Sequence, residues 1–320
     1  MIFSNNDNIL EYYFNEELVT LPEYPDIIIY IERLKALVQG QPVQNVRIAS
    51  PFLLRTFDPP IESILNKPVI YFERIGKRIV FVFEDELFLA LHLMIAGRLN
   101  WREKDCKIPV KIGMAALDFP NGTLLLIESG TKKRASLHLI KGELELSTFD
   151  QGGLEIFDAS FEEFKRRLLR ENHTLKRALT DPRLFSGIGN AYSDEILHRA
   201  KLSPVQLTQK MTEEQIEKLF RAIKETLTDW TERIRKETGD GFPEKVTAFR
   251  PEMAVHGRFG KPCPICGTIV QRIRYADNET NYCSKCQTRG KLLADRSLSR
   301  LLKSDWPRNL EELEERRRNL

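Results

Sequence analysis

The sequence predicts an α+β protein with an N-terminal β-sandwich led by a helix, a helical domain, and a C-terminal zinc finger. Three observations carry this reading. Residues 43–140 hold short runs rich in Val, Ile, Phe and Leu, separated by turn residues. After Gly152-Gly153 the apolar residues recur at helical spacing. Near the C-terminus Cys263-Pro264-Ile265-Cys266 is followed, sixteen residues later, by Cys283-Ser284-Lys285-Cys286.

Residues 1–20 are polar and acidic and show neither period. A helix is predicted after Pro25, where Ile27, Ile28, Tyr30, Ile31, Leu34 and Leu37 recur at helical spacing until Gly40 stops it. Strands are predicted over Pro68–Phe72, Arg78–Phe83, Leu87–Leu93 and Leu124–Ile127, with turns at Glu84-Asp85 and Asn121-Gly122. Residues 160–171 and 174–180 read as helices, and the turn Ser186-Gly187-Ile188-Gly189 opens another that runs to about Arg199. The capping box Thr212-Glu213-Glu214-Gln215 starts a long helix with Ile216, Leu219, Phe220, Ile223, Leu227, Trp230 and Ile234 on one face, ending before Gly239. Leu292, Leu293, Leu298, Leu301 and Leu302 suggest a short amphipathic helix in a basic tail. The expected divisions are an extension over 1–21, a β-sandwich domain over 22–150, a helical domain over 151–245, the finger over 252–288 and the tail over 289–320.

Composition narrows the class. Hydrophobic residues make up 42% and charged residues 30%, as in an ordinary soluble protein with a sizeable core. No apolar run approaches the length of a membrane span. The net charge of +3 decides little, but residues 255–291 carry seven basic and two acidic side chains, a local +5. A cationic finger has nucleic acid as its commonest partner.

Two C-x-x-C pairs at this spacing fit one tetrahedral Zn²⁺ held by the thiolates of Cys263, Cys266, Cys283 and Cys286. So small a module buries too little apolar surface to fold unaided, so the metal supplies its folding energy. The competing readings are chance pairs or two disulfides. The absence of a signal peptide and the isolation of the remaining cysteine, Cys106, favour a reducing compartment and a metal.

Three stretches then converge on a family. Leu184-Phe185-Ser186-Gly187-Ile188-Gly189-Asn190-Ala191-Tyr192-Ser193-Asp194-Glu195 resembles the helix–two-turn–helix (H2TH) motif of formamidopyrimidine-DNA glycosylase and endonuclease VIII. The stretch from Val255-His256-Gly257-Arg258 to Gln287 resembles their zinc finger, and Leu21-Pro22-Glu23-Tyr24-Pro25-Asp26 resembles their N-terminal Pro-Glu signature. The resemblance covers about residues 21–288. It implies a DNA-repair glycosylase with abasic-site lyase (β-elimination) activity: a monomer acting on damaged or abasic double-stranded DNA in the bacterial cytoplasm, at the nucleoid.

The resemblance also implies site residues. Pro22, as a free secondary amine, is the nucleophile toward C1′, Glu23 the acid that opens the sugar ring, and Lys77 serves the elimination step or holds a phosphate. Ile95 falls at the position of an apolar wedge, though an ordinary core role fits it as well. Lys133 takes the place of a phosphate-binding arginine, and Arg134 that of an aromatic wedge. Gly187 and Gly189 allow a close backbone approach to a phosphate, with helix N-terminal amides and Asn190 completing its binding. Arg272 and Arg274 add phosphate contacts from the finger. Taken alone, Gly-Ile-Gly-Asn reads as a plain turn between helices, and Glu23 and Lys77 read as solvated surface charges.

The sequence departs from the family in several places. Twenty-one residues precede Pro22, whose nitrogen is then a peptide nitrogen without a nucleophilic lone pair. One reading has the functional chain start at Leu21 through an alternative initiation codon, with loss of the initiator residue freeing Pro22. The other is a non-catalytic DNA-binding relative that keeps residues 1–21. A zinc-ribbon RNA-associated protein is a third class, resting on charge alone. Ile112 and Met114 stand where histidines are expected, Asn278 replaces an arginine linked to the second elimination, and the 239–253 stretch is short for a loop covering 8-oxoguanine.

Overall fold

The computed structural model describes residues 21–294, apart from 131, 245, 248, 276 and 277, together with residues 307, 309, 311, 312 and 315. Its described residues form two compact units. One holds 21–22, 26–150 and 234–248; the other holds 23–25, 151–233 and the residues from 249 onward.

Helix α1 (Tyr24–Val38) carries Pro25 and Asp26 in its first turn, where a missing N–H is harmless and a carboxylate suits the helix dipole. Gly40, at φ 78°, adopts the left-handed conformation just past its end. Beyond its first turn α1 belongs to the first unit, where Ile27, Tyr30, Ile31, Leu34 and Val38 lie in the core. Two antiparallel four-stranded sheets make up the sandwich. The strands of one, in order, are β1 (Asn45–Ile48), β6 (Gly113–Phe119), β7 (Gly122–Glu128) and β5 (Gly97–Arg102). The other has β2 (Tyr71–Ile75), β3 (Arg78–Phe83), β4 (Leu87–His92) and β8 (Ser136–Lys141).

Between the sheets, Phe81, Leu89, Leu91, Leu99, Leu117, Leu126 and Leu137 pack into one core. The sheets' other faces are buried too. Val80, Val82, Phe88, Ala90 and Ile140 pack with Leu146 of helix α2 (Glu143–Ser147), while Ile112, Ala116, Leu125 and Ile127 pack with Cys106 and Ile108. Two buried faces explain why β3, β4 and β7 read as continuous apolar runs rather than alternating ones. The strand expected over Pro68–Phe72 lies at Tyr71–Ile75. Proline cannot donate to a ladder, and the two-residue turn Gly76-Lys77 sets the register by pairing Ile75 with Arg78.

In the second unit, α3 (Phe161–Leu169) starts on a Ser160–Glu163 capping box and α4 (Leu175–Thr180) on Thr174. Helix α5 (Asn190–Arg199) follows the Gly187-Ile188-Gly189 turn. The predicted capping box of α6 (Glu213–Thr238) is present: the Thr212 N–H donates to the Gln215 side chain (3.1 Å) and the Gln215 N–H to the Thr212 hydroxyl (3.3 Å). Ile216, Leu219, Ile223, Leu227, Trp230 and Ile234 of α6 are buried, as their spacing predicts; Phe220 is half-buried against Phe161 and Phe164. The finger is a hairpin of β9 (Gln271–Tyr275) and β10 (Asn278–Tyr282) followed by α7 (Ser284–Thr288). Leu292 and Leu293 are buried, and the Leu293 N–H donates to the Tyr282 hydroxyl at 2.8 Å. Leu298, Leu301 and Leu302 of the predicted tail helix, like residues 1–20, lie outside the described residues.

Candidate nucleic-acid interface

The turn before α5 is built around a carboxylate. Gly187 takes φ 79°, a conformation costly for any other residue, and its carbonyl accepts from the Tyr24 N–H at 3.0 Å. That contact sets Glu23 at the start of α5. Its Oε2 accepts from Gly189 N–H (2.7 Å) and Tyr192 N–H (3.2 Å), and its Oε1 from Ala191 N–H (2.8 Å). Glu23 is only 2% exposed, so it is no solvated surface charge. This corrects the expectation that the helix amides receive a phosphate: Glu23 already takes these three, in the place of a bound anion. Tyr24 also stacks on Phe157, with ring centroids 5.1 Å apart. The Asn190 side chain is half-buried at the same turn. Pro22 is buried and directly precedes Glu23.

Helix α5 also carries two buried acids that hold the finger, a role the sequence reading missed. Asp194 is fully buried. It accepts from Lys176 Nζ at 2.5 Å, contacts His256 Nδ1 at 2.9 Å and accepts from the Asn281 backbone N–H at 3.1 Å. Burial pushes its carboxyl up, but the Lys176 ammonium and His256 outweigh burial and hold it below the ordinary carboxylate value. Glu195 accepts the backbone N–H groups of Ala254 (2.8 Å), Val255 (2.9 Å) and His256 (2.9 Å). Desolvation nevertheless raises its carboxyl above the usual range. The visible signal was an Asp-Glu pair directly before the apolar Ile196-Leu197, on the same short helix as Tyr192. Gln287 adds a further tie by donating its side-chain amide to the Leu202 carbonyl at 2.9 Å.

The sulfurs of Cys263, Cys266, Cys283 and Cys286 all lie within 4.8 Å of one another, with Cys263–Cys286 at 4.0 Å and Cys266–Cys283 at 3.4 Å. Four thiolates at about 2.3 Å from one zinc stand roughly 3.8 Å apart, so the cluster fits one structural Zn²⁺. The Cys286 N–H points at the Cys283 sulfur (3.5 Å), and His198 Nε2 lies 3.3 Å from the Cys263 sulfur. Such donors orient thiolate ligands from outside the coordination shell. Burial, and after it Lys201, lowers His198 to about 4, leaving a neutral ring able to donate one N–H. On the hairpin, Arg272 stacks over Phe259, 4.1 Å from its centroid, and contacts Glu279; Arg274 also contacts Glu279 but is more exposed.

In the first unit the pairing register gathers the remaining predicted residues at one end of a sheet. Arg78 pairs with His92 and His92 with Ser136. Lys77 lies in the β2–β3 turn, Ile95 in the turn after β4, and Lys133 and Arg134 just before β8. Ile95 is 39% exposed, so it is not a core residue. Glu128, buried at the end of β7, shapes the last loop. Its carboxylate accepts the N–H groups of Arg134 (2.9 Å) and Ala135 (3.1 Å), and its carbonyl accepts from the Lys133 ammonium. Desolvation lowers Lys133 against the opposing pull of Glu128. Arg134 is exposed. Ile112 and Met114, which stand in place of histidines, are buried in apolar clusters.

Comparison with known proteins agrees with this architecture. The formamidopyrimidine-DNA glycosylase N-terminal domain model matches residues 21–132, the formamidopyrimidine-DNA glycosylase H2TH domain model residues 154–239, and the model for the zinc finger found in FPG and IleRS residues 260–289. A formamidopyrimidine-DNA glycosylase-like protein of Mycobacterium tuberculosis is 40% identical over 151 residues, 47% of this chain and 94% of that protein. The formamidopyrimidine-DNA glycosylase of Thermus thermophilus is 31% identical over 288 residues, 84% of this chain and 100% of that protein. The wild-type Lactococcus lactis Fpg, solved in complex with an oxidized-pyrimidine-containing DNA, superposes with a TM-score of 0.73 at 25% identity, covering 83% of this chain and 100% of that one. With its N-terminal, H2TH and zinc-finger modules in that order, the chain belongs to the formamidopyrimidine-DNA glycosylase family.

Proposed function

We propose that the chain is a bifunctional DNA glycosylase and abasic-site lyase that excises a damaged base from duplex DNA through Pro22. The observation that carries this is the Glu23 carboxylate anchored on α5 directly after Pro22, which fixes the Pro-Glu dipeptide to a built structural element. The family match that begins at residue 21 supports Pro22 as the functional first residue. In a chain starting there, the proline nitrogen is a secondary amine. An ordinary α-amino group has a pKa near 8, which leaves about a tenth of it neutral at pH 7.

That lone pair attacks C1′, the damaged base leaves with its bonding electrons and the proton the amine gives up, and the sugar ring opens as a proton drawn from solvent through Glu23 reaches its ring oxygen. The product is an iminium joining Pro22 to C1′. Loss of a C2′ proton then expels the 3′ phosphate and cuts the strand, with Lys77 serving this step or holding a phosphate. Arg134, Lys133, Asn190, Arg272 and Arg274 contact the DNA, and Ile95 fills the space the base vacates. Gly187 and Gly189 shape the turn that presents Asn190. The protein acts as a monomer at the bacterial nucleoid.

Borohydride reduction of an abasic duplex tests this reading. A chain starting at Pro22 becomes covalently trapped; tight binding without trapping would favour a non-catalytic DNA-binding protein. That second reading draws on one observation, that Pro22 nitrogen is a peptide nitrogen in the 320-residue chain.

A further inference from the structure

We infer that Phe52 is a base-stacking platform that takes up an unpaired base of the bound DNA, an inference that rests on the DNA-repair reading above. Phe52 is 72% exposed, although burying a phenylalanine stabilises a fold by roughly 1.5–3 kcal/mol. A single exposed aromatic is unremarkable on its own. Its backbone and its neighbours give this one meaning.

The Leu53 N–H donates to the Ser50 carbonyl at 3.1 Å, closing a turn with Pro51 and Phe52 at its centre. Proline presets the φ of the first central position. The turn is tied down on both sides. Ala49 and Ser50 donate to the Met114 carbonyl (2.9 and 3.1 Å), Leu137 N–H donates to the Leu53 carbonyl (2.9 Å), and Arg55 N–H donates to the Leu137 carbonyl (2.9 Å). Phe52 is therefore held on a fixed backbone, so little entropy is lost when a ligand meets it.

The same bonds give its location. Residues 53–55 run along the outer edge of β8 beside Leu137, one residue beyond the row Arg78–His92–Ser136. Phe52 thus stands at the sheet end that carries Lys77, Lys132, Lys133 and Arg134. Glu128, whose carboxylate shapes the loop before β8, is buried and holds backbone N–H groups. An exposed ring at a sheet end that carries several cations suits a polyanion that offers flat apolar faces, as an unstacked nucleic-acid strand does. Phe57, although 90% exposed, lies farther along β8, where Thr56 accepts from Leu139, and is not part of the group.

The test uses a chain beginning at Pro22 and duplexes with a tetrahydrofuran abasic site opposite 2-aminopurine, alongside intact duplexes. Phe52→Ala should weaken binding to the abasic duplex about tenfold, the scale of one base–aromatic stack, while intact-duplex affinity and the salt dependence hold. Arg134→Ala should instead make the salt dependence shallower by about one unit of slope. Phe52→Trp should restore affinity and the quenching of 2-aminopurine, and the melting temperature of Phe52→Ala should stay that of the parent. Equal affinity of parent and Phe52→Ala for the abasic duplex would overturn the inference and leave the repair reading standing. So would an equal loss on both duplexes, which marks a general contact. A parent chain that does not prefer the abasic duplex would overturn both.

Discussion

Replacing Glu23 probes the link between the Pro22-Glu23 dipeptide and the H2TH domain. Its carboxylate satisfies three amide donors at the start of α5, all within 3.2 Å, in a site 2% exposed. Removing the partner of a buried donor costs about 1–3 kcal/mol, and the losses overlap within one site, so Glu23→Ala should cost about 3–5 kcal/mol. Glu23→Gln can keep the two bonds made by Oε2 but turns an NH₂ toward the Ala191 N–H, for a loss of about 1–3 kcal/mol. Urea unfolding measures both, and amide exchange locates the effect. Exchange should quicken at Gly189, Ala191 and Tyr192 more than elsewhere in α5. A Glu23→Ala protein within about 0.5 kcal/mol of the parent, with unchanged exchange at those amides, would refute the capping argument.

Other outcomes follow from the same structure. Stripping zinc with a chelator, or Cys286→Ser, should unfold the finger and abolish tight DNA binding, because metal affinity and folding energy are one quantity there; circular dichroism and a binding titration check it. Asp194→Asn leaves the partly buried Lys176 ammonium without its countercharge and should cost about 3 kcal/mol, read by denaturant unfolding with bound zinc measured in parallel. Burial, with Arg78, Lys77 and His138 nearby, lowers His92 to about 4. Between that value and its unfolded value near 6.5 the unfolded chain binds the extra proton, so stability is full above about 6.5 and falls by up to about 3 kcal/mol as pH drops toward 4. His92→Gln should flatten that part of the stability–pH curve, and an unchanged curve would contradict it.

Much of the fold was legible in the sequence because its signals are local. The capping box at Thr212 and the apolar face of α6 needed no tertiary knowledge. The two C-x-x-C pairs announced their cluster through spacing alone. Strands with mixed signals were missed. β5 opens with Gly97 and carries Arg98, Asn100 and Arg102, and the Ala-Ala-Leu of β6 suits a helix as well as a strand. The sandwich supplies the partners that make them strands. At the candidate site, motif positions were readable but hydrogen-bond partners were not. Gly189 and Asn190 looked like a phosphate cradle because nothing local shows that a glutamate 166 residues upstream fills it. Asp194 and His256, 62 residues apart, were visible only as parts of a motif.

The most direct test of the central claim is peptide mapping of the borohydride-trapped complex with an abasic duplex, for a chain beginning at Pro22 and for the 320-residue chain. The account predicts that the shorter chain is trapped with the sugar on the Pro22 nitrogen and that the longer chain, if its mass is intact, is not. A sugar adduct on Lys77, or trapping of the intact longer chain, would contradict it.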